Sequence, residues 1–255
     1  MGQDVVERVL RRWSAAVVCG VLVALCGGAQ AAENPAHAED RAEMVRVIER
    51  YASYYAGPAS GQGLDPRVLE VMGRIPRHDF VPASRHALAY ADRPLPIGYG
   101  QTISQPFIVA LMTDLLAPEP DHLVLEIGTG SGYQAAVLAP LVKRVCTMEI
   151  IEPLAIAATD RLKALGNGNV EVRSGDGYYG WPACGPFDGI VVTAAATHVP
   201  PPLVRQLKPG GRLVIPVGQA FAVQQLVMVR KDFDGQITTR QLLPVRFVPL
   251  TRQPR

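Results

Sequence analysis

The chain has almost no surplus charge of either sign. Its 25 Lys and Arg stand against 23 Asp and Glu, a formal +2 over 255 residues, which gives no basic footprint for wrapping nucleic acid. Cysteine is scarce at four, and none stands in a Cys-x-x-Cys or other zinc-ligand spacing. The sequence therefore calls for neither a metal site nor a dense disulfide framework. The 24 glycines and 22 prolines stay below the roughly 25–30% that marks low-complexity chains. No Gly-X-Y period and no internal repeat accompany them. With 48% hydrophobic and 19% charged residues, what is left is a globular, enzyme-sized chain with one core or at most two.

One stretch departs from this average. Arg8, Arg11 and Arg12 precede Trp13–Gly28, which holds no charged residue, and Ala29-Gln30-Ala31-Ala32 and a polar run to Asp40 come next. A basic start, a short apolar run and an Ala-x-Ala site are the three parts of a secretory signal. The apolar run is short for a membrane span, which needs about 20 residues. Residues 1–32 thus read as a signal-like leader and 33–255 as a single domain with no stable membrane span. An uncleaved anchor, or a start codon placed upstream of a cytoplasmic protein, are the alternatives. Cys19 and Cys26 fall in the leader, and the remaining Cys146 and Cys184 make one pair, not a framework.

Apolar spacing predicts a helix over Arg41–Tyr55, and Asp65-Pro66 reads as an N-cap and first helical residue of a short helix to Gly73. Pro76–Gly100 reads as irregular with short helical turns, and Gln105–Leu116 as an amphipathic helix. From Asp121 strands and helices alternate. Strands are expected at His122–Ile127, Val145–Glu149, Val170–Ser174, Gly189–Thr193 and Arg212–Val217. Helices are expected at Gly132–Leu141, Pro153–Leu165 and near Leu203–Leu207. Buried apolar strands alternating with helices mean a parallel sheet covered on both faces. Gln224–Arg230 and Ile237–Val245 flank Asp234-Gly235, a type I′ hairpin signal. The expected fold is α/β, a Rossmann-like, doubly wound, mostly parallel sheet with a C-terminal antiparallel hairpin and an N-terminal helical extension. Residues 33–120 form the helical part and 121–255 the sheet.

The segment Leu123-Val124-Leu125-Glu126-Ile127-Gly128-Thr129-Gly130-Ser131-Gly132 runs from strand into helix. Its glycines permit a tight turn and close approach of a ligand to the backbone. Tyr133 stands where the dinucleotide Gly-x-Gly-x-x-Gly pattern has its third glycine, which disfavours a nicotinamide dehydrogenase. Walker A fails as well, since no Gly-Lys-Ser/Thr comes after it. Glu149, ending the second strand, is placed to accept ribose hydroxyls. Asp176 ends the third at the same sheet edge. Each alone is as well explained as a helix N-cap; three consecutive strand ends point to an adenosine-type ligand.

Several segments together resemble the class I S-adenosylmethionine-dependent methyltransferases and, more narrowly, the protein-L-isoaspartate O-methyltransferase family. They are Ile75–Pro82, Leu95–Gly98, Gly100-Gln101-Thr102-Ile103-Ser104-Gln105-Pro106, the Glu126–Gly132 loop, Gly175-Asp176-Gly177, Phe187–Ala196, Leu207–Leu213, Pro216–Gly218 and Phe247–Leu250. The resemblance covers about Asp65–Thr251, and the Thr-Ile-Ser-Gln-Pro segment is its most specific part. It implies S-adenosylmethionine as cofactor and isoaspartyl proteins and peptides as substrates. By it Ser104 is the active-site hydroxyl. Gln101, Thr102, Ile103, Ser104, Gly128, Gly130, Ser131, Gly132, Glu149, Ile150, Gly175, Asp176 and Thr251 are the cofactor residues. The product of such an enzyme is a methyl ester that closes to a succinimide, which opens in part to normal aspartate. His198 stands where the family has an acidic residue. The competing readings are a class I methyltransferase of another carboxylate or small molecule and a cofactor-binding module without turnover. A monomer is expected. The leader implies a periplasmic or exported chain; the resemblance and the cytoplasmic supply of cofactor imply a cytoplasmic one.

Overall fold

The computed structural model describes residues 35–55 and 63–252, and the expected leader lies outside them. Helix α1 (Pro35–Tyr55) packs through Met44, Ile48 and Ala52 into the core. Helix α2 (Pro66–Arg74) opens as expected: the Asp65 side chain accepts from the Arg67 N–H, and Pro66 holds the first turn. Where irregular chain is expected, two 3-10 turns (Arg77–Phe80, Ala83–Leu88) lead into an antiparallel hairpin of β1 (Leu95–Gly98) and β2 (Gln101–Ile103). Strands of three and four residues are too short to show a period, which is why no pattern announces them. Helix α3 (Pro106–Leu116) comes next.

The sheet is built from β3 (Leu123–Ile127), β4 (Arg144–Glu149), β5 (Val170–Ser174), β6 (Phe187–Val192), β7 (Leu207–Val217), β8 (Gln224–Lys231) and β9 (Ile237–Val245). Helices α4 (Tyr133–Leu138), α5 (Glu152–Ala164) and α6 (Pro201–Gln206) connect the parallel strands. Strand order is β5-β4-β3-β6-β7-β8-β9, parallel as far as β7 and antiparallel beyond it. Val124 of β3 joins the core on one face while Leu125 and Ile127 join the core on the other, the alternation a doubly covered strand requires. The chain winds outward from β3 through β4 to β5, then returns to set β6 on the other side of β3. That reversal is where open α/β sheets bind ligands.

Two sequence expectations change. The β8–β9 connection is not a type I′ turn, which needs positive φ at both central residues; Gly235 has φ +83 but Asp234 does not. The Asp232 carboxylate instead accepts from the N–H groups of Asp234 and Gln236 and closes a wider loop. Strand β7 begins at Leu207, five residues before the expected Arg212. Cys146 of β4 and Cys184 pair as a disulfide, with Cα atoms 6.8 Å apart. Among the described residues no helix is long and apolar enough to cross a membrane.

Asp188 clamps three central strands. Its Oδ2 accepts from the Leu123 N–H of β3 at 2.8 Å and from Lys208 Nζ of β7 at 2.7 Å. Burial alone would raise this carboxyl, but the Leu123 N–H and the Lys208 ammonium outweigh it and hold the group below the usual aspartate range. A depressed carboxyl stabilises the fold above its unfolded value, near 3.9, and loses that contribution as pH falls through the folded one. Asp188→Asn should therefore lower the thermal unfolding midpoint at pH 7, with the gap narrowing from about pH 4 downward. An unchanged gap at pH 3 would contradict the assignment.

Candidate cofactor and active site

Beyond Ile127 the chain turns through Gly128, Gly130 and Gly132 with φ of +98, +54 and +90. This region costs an ordinary residue roughly 1–2 kcal/mol. Gly128 has a second reason to lack a side chain, since a Cβ there would stand 2.5 Å from Thr193 Oγ1. Thr193 lies just past β6. Its hydroxyl donates to the Gly128 carbonyl at 2.6 Å and its N–H to the Ile127 carbonyl at 2.9 Å. The ends of β3 and β6 are thereby locked together at the switch point.

Glu149 ends β4 buried beside this loop. Its Oε2 accepts from the Gly130 N–H at 2.8 Å and its Oε1 from the Ile151 N–H at 3.0 Å. Each oxygen keeps lone-pair capacity for a ligand hydroxyl. Glu126, inside β3, is fully buried. Its Oε2 accepts from the Thr147 hydroxyl at 2.6 Å, while Oε1 has no partner. Burial, reinforced by the charge of Glu149 and only partly offset by Thr147, pushes its pKa up to about 8.

The opposite wall is the β1–β2 hairpin together with Ser104 just beyond it. Gln101, Thr102, Ile103 and Ser104 line the same cavity as Gly128, Gly130, Ser131 and Glu149, and Ile150, Gly175 and Thr251 complete it. Two expected residues do not line it. Gly132 opens α4 where a Cβ would stand 3.2 Å from Leu162. Asp176 caps the turn Gly177–Tyr179 by accepting from the Tyr178 N–H, and it lies 3.5 Å from Arg252 Nε. His198 is also outside the cavity, bonded to the Tyr178 hydroxyl and to Thr197.

A second cavity of about 440 Å³ adjoins the first, walled by Pro94, Ile108, Val245 and Phe247. Thr102, Ser104 and Thr193 line both. Ser104 precedes α3 and could have been consumed as its cap, but Asp92 takes that task. Asp92 Oδ1 accepts from the Phe107 N–H at 2.9 Å and its Oδ2 from Gln105 Nε2 at 2.7 Å. The Ser104 carbonyl is held instead by Arg77 Nη2 at 2.6 Å. Among the described residues, the Ser104 hydroxyl has no hydrogen-bond partner.

Sequence reasoning missed Glu126, Thr193, Arg77 and Asp92 as parts of this site. A carboxylate within an apolar strand was a signal for Glu126. Nothing local marks the other three, whose partners lie 12 to 65 residues away.

The family model described as protein-L-isoaspartate(D-aspartate) O-methyltransferase matches residues 59–255. A Syntrophobacter fumaroxidans protein named protein-L-isoaspartate O-methyltransferase 2 is 61% identical over 225 residues, 88% of this chain and 91% of its own length. A solved protein-L-isoaspartate O-methyltransferase superposes with TM-score 0.72 at 28% identity, over 82% of this chain and 65% of that one. A Plasmodium falciparum protein assigned the same activity, in complex with S-adenosyl-L-homocysteine, shares the fold at TM-score 0.67 and 24% identity, over 84% of this chain and 99% of that one.

The glycine loop gives a direct test. Gly128→Ala places a methyl against Thr193 in a backbone region alanine avoids, so S-adenosylhomocysteine affinity by calorimetry should fall at least about tenfold. Wild-type affinity in a folded Gly128→Ala protein would show that the loop does not cradle the ligand.

Proposed function

The chain belongs to the protein-L-isoaspartate(D-aspartate) O-methyltransferase family, and on that premise we propose how its residues divide the work of methyl transfer. It is an S-adenosylmethionine-dependent enzyme that methylates the free carboxylate of isoaspartyl residues in proteins and peptides. The observation that carries the residue assignment is Ser104, common to both cavities and with its hydroxyl unengaged.

Bound S-adenosylmethionine supplies the electrophile, a methyl group carried on a sulfonium. Gly128, Gly130 and Ser131 would hold it through backbone, Glu149 would accept from its ribose hydroxyls, and Ile150 and Gly175 would border its adenine. Gln101, Thr102, Ile103 and Thr251 close the cavity. Gly132 and Asp176 act one step back, the first by admitting the turn into α4 and the second by capping the adjoining one.

The substrate carboxylate has a pKa near 4 and is ionised at neutral pH, so no general base is required. Positioning supplies much of the rate of such a displacement. Ser104 would donate its O–H to one carboxylate oxygen and leave the other free as the nucleophile. Serine nucleophiles need an adjacent base, and no such partner contacts Ser104 among the described residues. The walls of the second cavity take the flanking peptide. The ester then loses methanol as the next backbone nitrogen closes a succinimide, and water opens that ring in part to aspartate.

Residues 33–255 act as one methyltransferase domain and as a monomer, and the near-neutral charge supports peptide and not nucleic acid as the partner. For compartment, the Arg8–Ala32 pattern supports export and the cytoplasmic synthesis of the cofactor supports retention. Fusing Met1–Asp40 to a reporter active only after export separates them, activity marking export.

Labelled methyl from S-adenosylmethionine should enter an isoaspartyl peptide and not its aspartyl twin. Ser104→Ala should lower kcat about ten- to a hundredfold, the worth of one hydrogen bond to a charged group, with S-adenosylhomocysteine affinity nearly kept. Loss of affinity at constant kcat would make Ser104 a cofactor residue only.

A further inference from the structure

A carboxyl group in the middle of a covered parallel sheet needs a physical reason. Glu126 is completely shielded from solvent. Its Oε2 is satisfied through Thr147, whose hydroxyl also meets Thr129 Oγ1 at 2.6 Å. Its Oε1 is unpaired, although Glu126 lines the cofactor cavity. An unsatisfied buried polar atom costs about 1–3 kcal/mol, and more when charged. No Lys, Arg or His lines this cavity among the described residues. A cation able to pair with Glu126 therefore has to arrive with the ligand.

Strand order says which end of the ligand that is. Gly175 lies just past β5, Glu149 ends β4, and the Gly128 loop leaves β3 with Glu126 just before it, so the cavity runs along β5-β4-β3. With adenine near Gly175 and ribose at Glu149, the amino-acid end falls at β3. We propose that Glu126 holds a proton while the cavity is empty and releases it to solvent when the cofactor's α-ammonium enters, so that cofactor binding is coupled to the loss of one proton. The O–H bond of the carboxyl breaks, the proton passes to the buffer, and the resulting carboxylate faces the ammonium. This inference rests on reading the cavity as the cofactor site.

The surroundings agree. Glu149, from β4, opposes ionisation of Glu126 by its charge. Tyr133, from α4, is pushed by burial up to about 12 and stays neutral. Thr147, Thr129 and the Gln134–Thr113 pair carry no charge. Arg77 stacks on the Tyr133 ring, its guanidinium carbon 4.7 Å from the centroid, and does not line the cavity. With its pKa near 8, Glu126 is about nine-tenths protonated at pH 7. A bound cation favours the ionised form and lowers that value. Affinity should then rise with pH below about 8 and level off above it.

The experiment is calorimetric titration of the full chain with S-adenosylhomocysteine, which keeps the α-ammonium and lacks the sulfonium charge, in buffers of different ionisation enthalpy. Wild type should release close to one proton per ligand at pH 7, with Kd falling about tenfold per pH unit between pH 6 and 7.5. Glu126→Gln should bind with neither release nor slope, since ionisation of the ligand's own amino group is common to both proteins. If Glu126→Gln fails to fold, Thr147→Val serves: it removes the donor to Oε2 and should move the levelling-off to higher pH. Tight, pH-independent binding by wild type, or equal release from Glu126→Gln, would overturn the coupling and leave the methyltransferase reading intact. Absence of any S-adenosylhomocysteine binding would instead overturn the cofactor site and the coupling with it.

Discussion

Arg77 carries a full charge where water cannot reach it, and it holds the fold together through the two donors that find carbonyls. Nε donates to the Ala89 carbonyl at 2.8 Å and Nη2 to the Ser104 carbonyl at 2.6 Å, while the plane lies over the Tyr133 ring. Those contacts join three separate pieces of chain: the turn at Ala89 that precedes β1, the segment bearing Ser104, and the first residue of α4. Burial draws the arginine's pKa downward, yet a guanidinium still does not give up its proton in a protein. Loss of this side chain would strand two carbonyls at about 1–3 kcal/mol each where they are buried. Arg77 thereby ties Ser104 to Tyr133, at the end of the glycine loop.

A second arginine supports the same loop from the other side. Arg161 of α5 donates to the Ser131 carbonyl at 2.8 Å and lies over Phe80, whose ring meets Tyr133 edge-on at 5.3 Å. Arg161 thus braces the loop at Ser131 and Arg77 braces the Ser104 segment, and neither cation lines the cavity. The separation suits the chemistry. A cation in the cavity would repel the sulfonium and pair with the substrate carboxylate, weakening the nucleophile it is meant to orient. Keeping the arginines behind the loop gives rigidity without that penalty.

The parallel sheet and its order of elements were legible because β3, β4 and β6 are apolar runs bounded by turn residues, a pattern set by burial on both faces. The cofactor loop was legible because glycine at positive φ leaves a mark in composition. What escaped were features fixed by distant partners. The hairpin at Leu95–Ile103 is too short for periodicity, and Asp188, Asp92 and Thr193 acquire their tasks only when folding brings 15 to 65 residues of separation to bonding distance. The turn at Asp234-Gly235 misled for the opposite reason. Its dipeptide is a strong local signal, but the Asp232 side chain offers two backbone N–H groups a better acceptor.

Glu126 and Glu149 show how one sheet edge can give two carboxylates different work. Glu149 sits where two backbone N–H groups aim at its oxygens, so its charge is solvated by the protein and remains available to neutral hydroxyls. Glu126, 23 positions earlier and on the adjacent strand, receives one hydroxyl at Oε2 and nothing at Oε1. The charge on the first makes charge on the second harder to form. A ligand that brings hydroxyls to Glu149 and a cation to Glu126 satisfies both together. A nucleoside alone meets the first demand and an amino acid alone the second. A molecule that carries both ends is the chemical outline of the cofactor this family uses.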